Sequence, residues 1–386
     1  MKADVDALSI LVGSFGSPTS ERSPEAALLV ANQWSERIQR ELVQSLLVKG
    51  HASVAGKITN LRPPESLRWV PELGFAARAN RNGDAALGAL QFVVACVGNG
   101  EHVSVQAKIG APSHLFLHGW LLPVAGVCTV SSVQGDLELT SDVGYARFSS
   151  QQGGFVPLET PASPWSVANL GQAAPSYAIQ TNLPLVEGVY PWLRSDEHSD
   201  QSLRQDITMT RIVESLRETL GFLHQNSARY AAWVTGAVAG VLLTSEGQDR
   251  AISSSEFPGL VALGPSTSVV ACAETLVGQA CQQYLRQCLL IAPLVSEGTE
   301  EIHYLPMRRT YVTTRRLLAT AYEHANALAL LYDLQRDVTR ADEIRERAML
   351  RKLLYKTECA AHLAQASTLS RAGRSLWERV EALAEL

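Results

Sequence analysis

Nowhere in the 386 residues do two cysteines stand as C-x-x-C, no apolar run reaches the thickness of a bilayer, and no excess of positive charge marks the chain. Each absence removes a class of function. The six cysteines (Cys96, Cys128, Cys272, Cys281, Cys288 and Cys359) are scattered among apolar neighbours. That speaks against a zinc ribbon, a dithiol redox pair or a secreted disulfide scaffold, and for reduced thiols in a cytoplasmic protein. The most apolar stretch, Tyr230 to Thr244, is interrupted by Gly236 and Gly240. At about 15 residues it falls short of the ~20 that span a membrane, and it reads as a buried helix. A net charge of −5 and a pI near 6.0 give no general attraction to phosphate backbones or anionic lipid. Neither nucleic acid nor a membrane is therefore an expected partner. The opening Met1-Lys2-Ala3-Asp4-Val5-Asp6 lacks the basic start and apolar run of a signal peptide. No Gly-x-Ser-x-Gly elbow surrounds a serine, and Gly13-Ser14-Phe15-Gly16 and Gly98-Asn99-Gly100 have no following Lys-Ser/Thr. A hydrolase triad has no anchor, and both glycine pairs read as turns.

What the chain does contain is 46% hydrophobic and 18% charged residues, ordinary globular material. At roughly 150 residues per domain, the length suggests two lobes. From Pro24 to Leu47, the positions Ala27, Leu28, Val30, Ala31, Trp34, Ile38, Leu42 and Leu46 recur at helical spacing. A second helix is expected from Gly83 to Cys96. The period then changes to two: Val103, Val105, Ala107 and Ile109 alternate with polar residues, and strand-like runs follow as far as Phe148. Residues 151–205 carry Pro157, Pro161, Pro164, Pro175, Pro184 and Pro191 and read as a long surface connection. Beyond it, helices are expected over 206–226, 227–244, 266–292, 313–335 and from 340 onward with a break near Gly373, and a short strand over 257–264. The fold class is thus α+β. An N-terminal lobe (1–150) with helices and a small antiparallel sheet is followed by the connection (151–205) and a mainly helical lobe (206–386).

One region carries a specific pattern. A serine-rich turn and short strand, Ser253-Ser254-Ser255-Glu256-Phe257-Pro258-Gly259-Leu260-Val261-Ala262-Leu263, lead into a helix containing Leu276-Val277-Gly278-Gln279-Ala280-Cys281-Gln282. Downstream stand Leu305-Pro306-Met307-Arg308-Arg309-Thr310-Tyr311-Val312 and Leu317-Leu318-Ala319-Thr320-Ala321-Tyr322-Glu323-His324. In order and spacing these segments resemble the LVHExxH, PWRxxPRP and LLxGxYAH elements of the bacterial HExxH-motif peptide-modification proteins. Weaker agreements upstream, at Pro164-Trp165 and Tyr190-Pro191-Trp192-Leu193-Arg194, extend the resemblance over most of the chain. The resemblance implies a metalloenzyme-like helical lobe and a role beside ribosomally made, post-translationally modified peptides. Active members of the family look like iron- and 2-oxoglutarate-dependent hydroxylases acting at the β-carbon of peptide side chains.

The chemistry of the helix argues against that activity here. In HExxH, two imidazoles at i and i+4 bind one metal ion, and the Glu between supplies a base or an outer carboxylate. At these positions the chain has Gly278, without a side chain, Gln279, which takes no proton at neutral pH, and Gln282, a poor ligand for Fe(II). Of the implied ligands only His324 remains. Arg308, matching the Arg after the family's Trp, is still able to fork onto a carboxylate, but Val312 stands where the second Arg is expected. No cofactor is therefore expected. The reading is a catalytically degenerate homologue that binds a precursor peptide, a catalytic partner protein, or both, with Arg308, His303, Gln279 and Gln282 lining the peptide groove. The alternative is a peptide-tailoring enzyme of changed chemistry, with Cys281 as nucleophile and His324 as its base, or with a metal held by His303 and His324 together with Glu301 or Cys281. His114 and His118 share the i, i+4 spacing but lie in a strand-like context, where it separates them by about 13 Å, and read as structural. Arg308, Arg309, Arg315 and Arg316 form a local cluster, whereas Arg345, Arg347 and Arg351 alternate with Glu343 and Glu346 as a solvated helix face would.

Overall fold

The computed structural model describes residues 5–18, 23–62, 70–97, 102–133, 136–151, 154–160, 165–169, 177–181, 205–243, 251–253, 257–296, 298 and 300–385. The fold is α+β. Helices α1 (Val5–Gly13), α2 (Ser23–Val48), α3 (Ala52–Asn60), α4 (Pro71–Arg81) and α5 (Ala85–Cys96) come first. Strands β1 (Val103–Lys108), β2 (Ser113–Leu117), β3 (Trp120–Val124), β4 (Val127–Val133), β5 (Asp136–Ser141), β6 (Gly144–Gln151) and β7 (Gly154–Glu159) follow. An antiparallel sheet is built in the order β1-β4-β5-β6-β7, while β2 and β3 form a separate hairpin. The alternation along β1 is realised as Val105 and Ala107 buried between exposed neighbours. These residues pack with α5, whose Leu90, Phe92 and Val93 are inaccessible to solvent, in one hydrophobic cluster. His114 lies in β2, but His118 occupies the β2–β3 turn at φ +42, so the two do not share a strand face.

The region read as a proline-rich connection contributes more than a connection. Besides β7, it holds β8 (Trp165–Asn169) and β9 (Tyr177–Thr181), and β9 pairs in parallel with β10 (Gly240–Leu243). Pro161, Pro164, Pro175, Pro184, Pro191 and the Tyr190 to Arg194 stretch lie outside the described residues. A second sheet runs β11-β12-β10-β9-β8, where β11 is Ala251–Ser253 and β12 is Leu260–Leu263. The apolar run expected as one helix over 227–244 is divided. After α6 (Gln205–Asn226), α7 (Ala228–Ala237) stops where Val238 turns extended, and Gly240 to Leu243 enter the sheet. A strand buried on both faces is continuously apolar, as a buried helix is, so periodicity does not separate them.

The helical lobe is completed by α8 (Val269–Ile291), the hairpin of β13 (Ile302–Leu305) and β14 (Thr310–Thr313), α9 (Thr314–Leu334), α10 (Ala341–Leu354), a π-helical turn over Tyr355–Ala360, α11 (Ala361–Gln365) and α12 (Arg371–Ala384). The expected break near Gly373 falls slightly earlier, between α11 and α12. A second hydrophobic cluster joins α6 to α12 and also takes in Val12, Phe15, Ala26, Ala27 and Val30 from α1, the segment after it and the first half of α2. Tyr322 Oη donates to the Phe15 carbonyl, and Asn326 Nδ2 reaches that of Gly16 at 3.2 Å. Val12, Phe15 and the first half of α2 thus belong with the C-terminal core, and α2, with Ile38, Leu42 and Leu46 in the other cluster, links the two. No described helix is long and apolar enough to cross a membrane.

Candidate functional site

The site lies between α8, α9 and α10 and is closed at one end by the β13–β14 hairpin. Ser268 caps α8 by accepting from Ala271 N at 3.0 Å. Residues four apart share a helix face, so Glu274, Gly278 and Gln282 make one stripe of α8. Facing it, Gln282 Nε2 hydrogen-bonds the Glu323 carboxylate on α9. Glu274, only 3% exposed, accepts from Arg347 Nη1 at 2.7 Å and Arg351 Nε at 2.8 Å, both on α10. A Cβ built on Gly278, between these two contacts, meets no atom within 4 Å. The glycine therefore faces open space.

Thr313 caps α9 through Arg316 N, and β14 leads directly into that helix. Four residues of β14 span about 13 Å and ten of helix about 15 Å. Folding β14 back along α9 thus brings the hairpin tip level with His324, in the third turn. The tip is fixed by Arg309 at φ +50 and by Glu358, fully buried in the π-helical turn. Glu358 accepts from the backbone of Arg308 at 2.9 Å and lies 3.1 Å from its Nε. Single π-helical turns recur at functional sites, and this one carries Glu358 against the hairpin.

His324 is 2% exposed and has a guanidinium at each ring nitrogen, Arg308 Nη2 at 3.0 Å from Nε2 and Arg351 Nη1 at 3.1 Å from Nδ1. Burial, reinforced by Arg351 and Arg308, pushes its pKa down to about 3. The ring is neutral at pH 7. A neutral imidazole has only one acceptor nitrogen, so one guanidinium faces a ring N–H and the site has more donors than acceptors. Burial pushes the pKa of Glu323 up, opposed by the Gln282 hydrogen bond and by Arg316, Arg351 and Arg308.

The sequence-derived candidates separate into groups. Gly278, Gln282, His324 and Arg308 come together around this site. Gln279 looks elsewhere, its Nε2 3.5 Å from the Ala251 carbonyl on β11. Cys281 is fully buried in the core and shares no hydrogen bond with His324, and burial with the Glu323 charge raises its thiol pKa well above the usual value. A thiolate nucleophile is thus strongly disfavoured, and the ring nitrogens of His324 are already covered by arginines. His303 stands apart, its Nε2 3.0 Å from Thr314 Oγ1 and 3.9 Å from Glu301, with its ring centroid 5.4 Å from that of His362. Among the described residues, no group of three or more His, Cys, Asp or Glu side chains is placed to hold a metal ion.

The donor set does not fit the iron that the resemblance implies. Gly278 offers no ligand, Gln282 is spent on Glu323, and any dication at His324 would meet two guanidinium groups. Like charges at such distances repel strongly in a buried site.

Glu274, Glu358, Glu323 and Arg351 complete the site without having been singled out. Arg347 and Arg351 do not form the solvated face that their alternation with acids suggests, although Arg345, with a side chain 72% exposed, does. One signal was present: Glu274 interrupts the apolar run Val269 to Val277, and a buried carboxylate requires cationic partners. Arg347 and Arg351, one helical turn apart, supply them. Compared with known proteins, the chain matches no family model and has no detectable similarity to a curated protein.

Proposed function

We propose that this protein is a catalytically degenerate homologue of peptide-modifying hydroxylases that acts in the cytoplasm as a peptide-binding or partner protein in ribosomal peptide natural-product biosynthesis. The observation that carries this reading is the environment of His324. Two guanidiniums, each also held by a carboxylate (Arg308 by Glu358, Arg351 by Glu274), converge on a neutral ring beside the space over Gly278, and the N–H groups not engaged by those carboxylates suit a carboxylate from a peptide. Arg308 remains reachable, with 40% of its side chain exposed. The resemblance of the segments around Gly278, Arg308 and His324 supports the peptide context. The buried, high-pKa thiol of Cys281 favours binding over the alternative of cysteine-based catalysis.

The test is purification of the protein after co-expression with the products of its neighbouring genes, with elemental analysis of the same sample. Retention of a precursor peptide or an intact HExxH homologue, without stoichiometric transition metal, is expected. A tightly held metal together with peptide modification by the isolated protein would overturn the proposal.

A further inference from the structure

We infer that the outer face of the β13–β14 hairpin docks an extended acidic peptide segment carrying an aromatic or aliphatic side chain between its acids. This inference rests on the peptide-binding reading above and adds both the surface and the chemical class of the ligand.

The face is apolar and uncovered. The register pairs Ile302 with Thr313 and Tyr304 with Tyr311. Ile302 is 68% exposed, Tyr311 71% and Tyr304 45%, and the two tyrosine rings lie 5.1 Å apart. Met307 at the tip is also exposed. Among the described residues no third strand joins this hairpin. Aromatic side chains with a polar tip suit adaptable contact with a peptide.

Cations outnumber anions around the face, three exposed arginines standing against the carboxylates of Glu300 and Glu301. Arg309 lies at the tip end of β14, and Arg315 and Arg316 follow its other end in the first turn of α9. All three are exposed, and none of their guanidiniums hydrogen-bonds or ion-pairs with a described residue; Glu323 feels Arg316 only through its charge. Nearby carboxylates are otherwise engaged: Glu300 accepts the Arg315 backbone N–H at 2.9 Å, and Glu301 is held by Ser367 and Thr368. Arginines in a first helical turn oppose the helix dipole, where acids are favoured, so local helix energetics do not explain them. An anionic partner does.

The positions give a spacing. Arg309 and Arg315 flank the four residues of β14, roughly 15 Å apart, because Thr314 and Arg315 already belong to α9 and only the strand is extended at about 3.3 Å per residue. A matching peptide has acidic pairs about five residues apart with its apolar residue over Tyr304 and Tyr311. Backbone pairing along the hairpin edge is one way for such a segment to lie, as in strand addition.

The experiment uses the full chain and a fluorescein-labelled synthetic peptide, Asp-Glu-Gly-Phe-Leu-Gly-Asp-Glu, read by anisotropy at 50 and 300 mM NaCl. Saturable binding is expected, weakened at least tenfold by the Arg315→Glu/Arg316→Glu variant and several-fold by Tyr311→Ser or by Ala for Phe in the peptide. High salt should weaken it further. All three substituted residues are exposed, and circular dichroism checks the fold of each variant. Absence of binding at 100 µM peptide, equal binding of a peptide with Lys for its acids, or equal or tighter binding of an oligonucleotide or phosphatidylserine vesicles overturns the inference. Retention of a co-purified peptide by the Arg315→Glu/Arg316→Glu variant also overturns it while leaving the peptide-binding function standing. Probe binding without any co-purifying partner supports the surface and counts against the pathway assignment.

Discussion

Replacing His324 by Asn should remove an acid sensitivity built into the fold. The imidazole titrates near its ordinary 6.5 in the unfolded chain and at about 3 in the folded one. Between these values the unfolded state binds a proton that the folded state refuses. Stability therefore rises with pH across the window, is complete above it, and is lost as the pH falls from about 6.5 toward 3. For one group with these pKa values, the loss on going from pH 7 to pH 5 is about 2 kcal/mol. At 2% exposure, His324 has little solvent to relieve this. Glu323 works in the opposite direction, since a carboxyl with a raised folded pKa favours the folded state as it protonates. The measurement is therefore a double difference: urea unfolding of wild type and His324→Asn at pH 7 and pH 5. The variant is expected to be less stable at pH 7 but to lose about 2 kcal/mol less on acidification. Equal losses in both proteins, or a His324 ring proton whose NMR shift titrates near pH 6, would refute the burial and the guanidinium contacts from which the figure comes.

Other expectations follow from the same neighbourhood. Gly278→Ala, in the middle of α8 with nothing within 4 Å of the new methyl group, should stabilise the protein by about 0.5–1 kcal/mol in denaturant melts; destabilisation would mean that the space is filled. Glu274→Gln leaves Arg347 and Arg351 without their carboxylate. Because both arginines are partly solvated, a loss of about 2–3 kcal/mol is expected by the same assay, at the lower edge of what breaking a buried pair costs. All six cysteines are buried and outside any disulfide, so a thiol reagent such as DTNB should label less than one per folded chain and all six after denaturation. Rapid labelling of Cys281 in the native protein would revive the cysteine-based alternative.

Much of the architecture was legible where one period held over a long segment. The apolar stripe of α2, the alternation of β1, and α8 and α9 with their serine and threonine caps follow from the spacing of side chains alone. The division of α7 from β10 was not, because Ala237 to Leu243 is buried throughout and the apolar pattern of Tyr230 to Leu243 suits a helix or an interior strand equally. The strands β8 and β9 were hidden by the prolines around them. At the site, the absence of a metal-ligand set on α8 was plain from Gly278, Gln279 and Gln282. What took its place was not, since Glu274 meets Arg351 across 77 residues of sequence and Glu358 meets Arg308 across 50, and each looks individually like a surface charge. Gln279, grouped with the site by its place in the motif, turns toward β11 because adjacent helical residues point about 100° apart.

The bond from Tyr322 to the carbonyl of Phe15 joins residues 307 positions apart. During synthesis at about 5–20 residues per second, the segment holding Val12, Phe15 and Val30 waits some fifteen seconds to a minute before its packing partners on α9 exist, and longer for α12. In that interval the antiparallel sheet and α5 are already complete and able to collapse on the second half of α2. Folding of these two clusters is thus expected to start with the antiparallel sheet and α5, with α1 among the last to be seated, and a chaperone that shields apolar segments has a natural client in α1.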